Sequence, residues 1–177
     1  NRNLLEQVND TREGQWPFAA VLSCIDSRTS AELVFDQGLG DIFSIRIAGN
    51  FANQDILGSM EFACNVAGSK LVVVLGHTKC GALKGGLDAP QIEGLGMDNL
   101  NHLIYHFEPC IHEVIKEGEE RSSKNEDLLE RLNVCNIKST INDIRHQSST
   151  LRNLEKEGKI MIVGANYDVE TGVVTWL

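Results

Sequence analysis

The chain has 177 residues, 42% of them apolar, and 25 acidic against 16 basic side chains leave a formal charge of −9. That length predicts a single domain over residues 1–177 with a core large enough to need no metal or disulfide merely to fold. The acidic balance, with no Lys/Arg block, argues against nucleic-acid binding, and no apolar run nears the roughly 20 residues that span a bilayer.

Phe18 to Ser23 is a short apolar run that reads as a strand buried on both faces. Thr29 and Glu32 stand at capping-box spacing before a short helix expected to stop at Gly38. Ile42 to Ile47 reads as a second strand. Asp55 offers an N-cap to a helix carrying Ile56, Met60, Ala63 and Ala67, with Gly68 as its stop, and Leu71 to Leu75 is the third strand. Residues 98–157 turn helical, broken at Pro109 and around Ser122, and Lys159 to Val163 is a fourth strand. The tail from Asn166 reads as a hairpin or an added edge strand. This alternation predicts an α/β fold, a mainly parallel central sheet flanked by helices.

Cysteines stand at 24, 64, 80, 110 and 135, an odd count in a core-rich chain, so reduced thiols are expected. Cys64, Cys110 and Cys135 lie in apolar helical patterns and read as small buried hydrophobes. Cys24 and Cys80 instead follow strands. In open parallel sheets the crevice beyond the strands' carboxyl ends collects function. There the first strand runs into Cys24-Ile25-Asp26-Ser27-Arg28, and the third into Gly76-His77-Thr78-Lys79-Cys80-Gly81.

Two cysteines and a histidine are suitable zinc ligands, and three protein ligands with an open position are the pattern of a catalytic site. The alternative is a reactive or buried cysteine beside an unrelated loop histidine. Zn²⁺ with two thiolates and a neutral imidazole has no formal charge, so it polarises water less than a three-histidine site. Asp26, steadied by Arg28, can supply the missing help by accepting a hydrogen bond from zinc-bound hydroxide, or can itself move onto the metal. Taken alone, Asp26 and Arg28 read more readily as an ordinary surface ion pair after a turn. His102, His106, Cys110 and His112 form a second tempting cluster, which the neighbouring apolar stripe explains without metal. Gly38-Leu39-Gly40 lacks the spacing and context of a dinucleotide site.

Together C-I-D-S-R and G-H-T-K-C-G resemble the β-class carbonic anhydrases. The resemblance runs from Gln15 through Ala82 and returns from Val163 to Gly172. It implies that Cys24, His77 and Cys80 hold Zn²⁺, that Asp26 and Arg28 form the catalytic dyad, and that Asp26 is the fourth ligand in a closed, inactive form. It also implies substrate contacts from Gln15 and Gly81 and a narrow apolar CO₂ cleft at Phe43, Ala48 and Phe62. Phe62 stands where tyrosine is frequent, and Val21 where a bicarbonate-regulated subgroup carries tryptophan. The implied reaction is reversible hydration of CO₂ to bicarbonate and a proton, in a homodimer or homotetramer with no nucleic-acid or membrane partner. A CS₂ or COS hydrolase on the same scaffold, or a non-catalytic zinc- or bicarbonate-binding protein, stays open. The expected location is cytoplasmic, with the periplasm or an organelle as alternatives if a targeting segment has been removed.

Overall fold

The structure is a computed structural model that describes residues 3–89 and 96–177. Five strands form one sheet in the order β2-β1-β3-β4-β5. They are β1 (Ala19–Ser23), β2 (Ile42–Arg46), β3 (Leu71–His77), β4 (Met161–Tyr167) and β5 (Val174–Trp176). The first four are parallel, and β5 returns antiparallel on β4 through a turn at Asp168–Val173. The expected α/β architecture and closing hairpin are both present. All of β1 is buried, as its unbroken apolar run requires, whereas the edge strand β2 is half exposed.

The helices are α1 (Leu4–Thr11), α2 (Ala31–Val34), α3 (Gln54–Glu61), α4 (Gly81–Leu87), α5 (Asp98–Tyr105), α6 (Glu108–Val114), α7 (Glu126–Gln147) and α8 (Ser149–Lys156). The long helix α7 lies across β3 and β4, burying Ile137 and Ile144 against Leu22, Val72 and Val74. Glycine makes that approach feasible. A Cβ at Gly76 would come within 2.5 Å of Ile137, and one at Gly164 within 2.7 Å of the same side chain. A second cluster, with Phe107, Leu83, Leu87, Leu128 and Leu132, packs α4, α6 and α7 together and includes Cys24 and Cys80. No helix among the described residues is long and apolar enough to cross a membrane.

Several local expectations are corrected. The side chain of Asn53, not Asp55, caps α3 by accepting from the Ile56 N–H at 2.9 Å, and a π-helical turn (Phe62–Val66) carries the helix towards Gly68. Thr29 does not cap α2. Its hydroxyl turns back to the carbonyls of Cys24 and Asp26, Ser30 takes the N-cap position, and the helix ends at Val34, well before Gly38. The break expected at Pro109 falls at 106–107, and Pro109 itself sits in the first turn of α6, which has no use for its missing N–H. The expectation of five reduced thiols also fails. Cys110 on α6 and Cys135 on α7 form a disulfide across a Cα–Cα distance of 5.8 Å. Cys64 is a buried free thiol, and burial raises its pKa to about 11.

Candidate metal centre

Strand order brings the two chemistry-bearing turns together. The chain leaves β1 towards β2 on one side and returns as β3 on the other, so the β1/β3 boundary is the switch point of the sheet. Ser23 pairs with Leu75, so Cys24, the next residue, falls alongside Gly76 and one position from His77. The Cys24 and Cys80 sulfurs stand 3.9 Å apart, and with an imidazole nitrogen of His77 the three ligand atoms lie within 4.8 Å of one another. Two thiolates each about 2.3 Å from a tetrahedral ion would stand about 3.8 Å apart. All three residues are buried.

His77 Nδ1 lies 2.9 Å from the carbonyl oxygen of Thr78. That contact puts the proton on Nδ1 and leaves Nε2 with a free lone pair. Nε2 is buried and has no hydrogen-bond partner, an orphaned acceptor of the kind a metal satisfies. The two sulfurs are in hydrogen-bond contact. The hydrogen bond from Cys80 is the chief cause that holds the Cys24 pKa below the ordinary thiol range against the effect of burial, with help from the Gly49 N–H, and the same bond pushes Cys80 up. Cys80 sits at the N-cap of α4, where the Leu83 and Ala82 amides favour its thiolate without closing a capping hydrogen bond.

The Asp26 carboxylate is gripped by Arg28: Nε donates to Oδ1 at 2.9 Å, Nη2 to Oδ2 at 2.8 Å, and the Arg28 N–H to Oδ1 at 3.0 Å. The guanidinium is the main reason the carboxyl stays ionised far below the ordinary carboxylate range. On the other side of this turn, the Arg46 guanidinium donates to the Cys24 carbonyl at 2.9 Å and to the Asp26 carbonyl at 2.6 Å. The second turn is tied down as well. Lys79 takes a left-handed conformation (φ 57°) between His77 and Cys80 and pairs with Glu170, while the Thr78 hydroxyl receives the Val169 N–H at 3.0 Å. Gly49, whose N–H donates to Cys24 Sγ at 3.4 Å, presents its carbonyl to Asn136 Nδ2 of α7 at 2.8 Å.

Sequence reasoning missed Arg46, Thr29, Thr78, Gly49 and Asn136. Each acts through backbone groups or across more than 20 residues, and only Gly49 carried a trace, as a glycine after a strand.

Phe43 and Phe62 meet edge to face, centroids 6.2 Å apart, and line a groove of about 1130 Å³ with Arg46, Ile45 and Gln147 but with none of the three metal-capable residues. His77 and Cys80 instead border a separate cavity of about 580 Å³. Ala48 is half-buried beside Gly49, Gly81 opens α4 directly after Cys80, and Gln15 is exposed between α1 and β1. The second histidine cluster dissolves. Cys110 is in the disulfide, His106 stacks on Phe51 at 3.9 Å, and His112 sits 3.6 Å from Glu108. Cys24, His77 and Cys80 are the one metal-capable group found among the described residues.

Fold and cradle together define an α/β protein with a soft-ligand, metal-capable group at the switch point of its sheet. A sequence model of the family described as carbonic anhydrase matches residues 19–174. Carbonic anhydrase 2 of Mycobacterium tuberculosis is 33% identical over 159 residues, covering 90% of this chain and 73% of the relative. The carbonic anhydrase of Mycolicibacterium smegmatis is 32% identical over 170 residues, covering 96% and 79%. Among solved structures, the β-carbonic anhydrase CafA of Aspergillus fumigatus is similar with a TM-score of 0.82 at 27% identity, covering 98% of this chain and 81% of that one. This chain belongs to the β-class carbonic anhydrase family.

Proposed function

We propose that this chain, acting as one domain, catalyses the reversible hydration of CO₂ to bicarbonate and a proton with Zn²⁺ held by Cys24, His77 and Cys80. The observation that carries this reading is the cradle itself: two sulfurs 3.9 Å apart beside a buried, unpartnered imidazole nitrogen. Zinc held there by Cys24, His77 and Cys80 would supply a Lewis acid that lowers the pKa of water and so provides a hydroxide nucleophile. The remaining work falls to the chain's own groups. Because Arg28 holds Asp26 ionised, the Asp26 carboxylate can only accept a hydrogen bond. It therefore turns the nucleophile's O–H towards itself and leaves a lone pair free for the CO₂ carbon. Releasing Asp26 to become a fourth ligand breaks the bidentate pair with Arg28, so the pair favours the active arrangement.

Gly81, as the first residue of α4, offers an N–H beside Cys80 for a substrate oxygen. Phe43, Ala48 and Phe62 supply the apolar wall, and Gln15 a polar contact. Within one chain the Phe43–Phe62 groove is separate from the cradle, which supports a cleft completed between copies in a homodimer or homotetramer. Large exposed apolar side chains support association too, including Leu33 (82% exposed), Trp16 (76%) and Val66 (70%).

The test is stopped-flow CO₂ hydration across pH with zinc analysis, repeated with CS₂ and COS. CO₂ turnover with one zinc per chain is the expected result. Turnover of the sulfur substrates alone would make the chain a CS₂ or COS hydrolase, and bound zinc without turnover at any pH a binding protein.

A further inference from the structure

The parallel ladder between β1 and β2 ends at Ser23 and Arg46. Beyond it the Cys24 and Asp26 carbonyls have no strand to accept from, yet both belong to the turn that carries a metal ligand and the catalytic carboxylate. Arg46 fills that gap with its side chain. Nε reaches Cys24 O and Nη2 reaches Asp26 O, so one planar fork spans two carbonyls separated by a single residue. Thr29 supports the same two carbonyls from inside. No carboxylate among the described residues forms an ion pair with Arg46. The turn is thus held by Thr29, whose N–H also donates to Asp26 O at 3.0 Å, and by two guanidiniums, Arg28 on the Asp26 side chain and Arg46 on its backbone.

We propose that Arg46 is a positioning residue for catalysis: its guanidinium fixes the Cys24–Asp26 backbone so that the Asp26 carboxylate, paired with Arg28, keeps its aim at the nucleophile. This rests on the reading of Asp26 as the nucleophile's hydrogen-bond partner. Without Arg46, the carbonyls are still served by Thr29 and by solvent, so zinc binding survives. The backbone of Asp26 gains freedom, and misplacing a reacting group by as little as about 1 Å can cost as much as about a hundredfold in rate. Lysine in its place keeps the charge but can serve only one carbonyl well.

The experiment is a double-mutant cycle on the zinc-loaded protein with Arg46→Met, Arg46→Lys and Asp26→Asn, reading kcat and KM for CO₂ together with zinc content. Arg46→Met is expected to lose roughly 10- to 100-fold in kcat with KM within about twofold and full zinc. Arg46→Lys should fall between Arg46→Met and the parent. In the Asp26→Asn background, Arg46→Met should cost little more, because the group it positions is already gone. An unchanged kcat in Arg46→Met, zinc lost in step with activity, or the same fold-loss in both backgrounds would each overturn the proposal while leaving the Asp26 reading intact. Full activity in Asp26→Asn alone overturns that reading, and the role of Arg46 falls with it.

Discussion

Arg28 and Asp26 meet in a parallel two-bond fork, at 2.9 and 2.8 Å, with the Asp26 side chain only 17% exposed. Such a pair fixes the orientation of the carboxylate as well as its charge. Asp26→Asn keeps the size of the side chain but removes its ability to accept on both oxygens. It should retain most of its zinc and lose about 100-fold or more in kcat, the range typical of a positioned proton-handling group. Parallel zinc analysis and stopped-flow rates check this, and an Asp26→Asn enzyme at full speed would refute the dyad.

Cys24→Ser tests the cradle in the opposite sense. A hydroxyl replaces one of two soft donors at the switch point, so both zinc and activity should disappear together. Metal content near one per chain in the purified variant would show that the ion is held elsewhere.

The disulfide gives a prediction independent of zinc. With Cys110 and Cys135 joined, denatured metal-free protein should accept alkylation at three of its five cysteines before reduction and at all five after it, read by intact mass. Replacing the pair with alanines should lower stability by about 2–4 kcal/mol, because the closed loop restricts the unfolded chain. Five modified thiols without reductant would contradict the pairing.

Glu119 predicts a pH dependence of stability. It accepts from the Lys116 N–H at 2.9 Å, from Arg131 at 2.6 Å and from Asn125 at 3.0 Å, and these bonds bring its pKa down from 4.5 to about 2. A value depressed by folding means the ionised group stabilises the fold above about pH 4.5, and that contribution is lost as pH falls towards 2. Glu119→Gln should therefore melt below the parent at neutral pH, with the gap closing across that window. A gap of constant size from pH 7 down to 2 would exclude the linkage.

Gly76 ties the fold to the site. Gly76→Ala drives a methyl into Ile137 and Asn133 and should destabilise by about 1–3 kcal/mol, measurable by urea unfolding. It also displaces His77, its neighbour, so zinc affinity should fall in the same variant.

Much of this was legible from local chemistry. The unbroken apolar runs at 18–23 and 71–75 identified buried parallel strands, because only a strand covered on both faces can carry no polar alternation. Cysteine, histidine and a carboxylate directly after those strands marked the candidate site. What the residues next door could not reveal was anything set by register or by distant packing. Cys110 and Cys135 read as hydrophobes because nothing within a helix shows which turn of another helix it will face. Asn53 takes the cap because the helix begins at Gln54, which places Asp55 inside the first turn.

Residue order alone determined the strands, the fold class and the ligand types, since those follow from side-chain periodicity and donor chemistry within a few residues. Tertiary structure alone decided that β1 and β3 are neighbours, which turns two separate segments into one cradle. It also decided that Arg46, Thr29 and Asn136 brace that cradle. Their partners are backbone groups, whose direction is set by the path of the chain through space and leaves no signature in the letters.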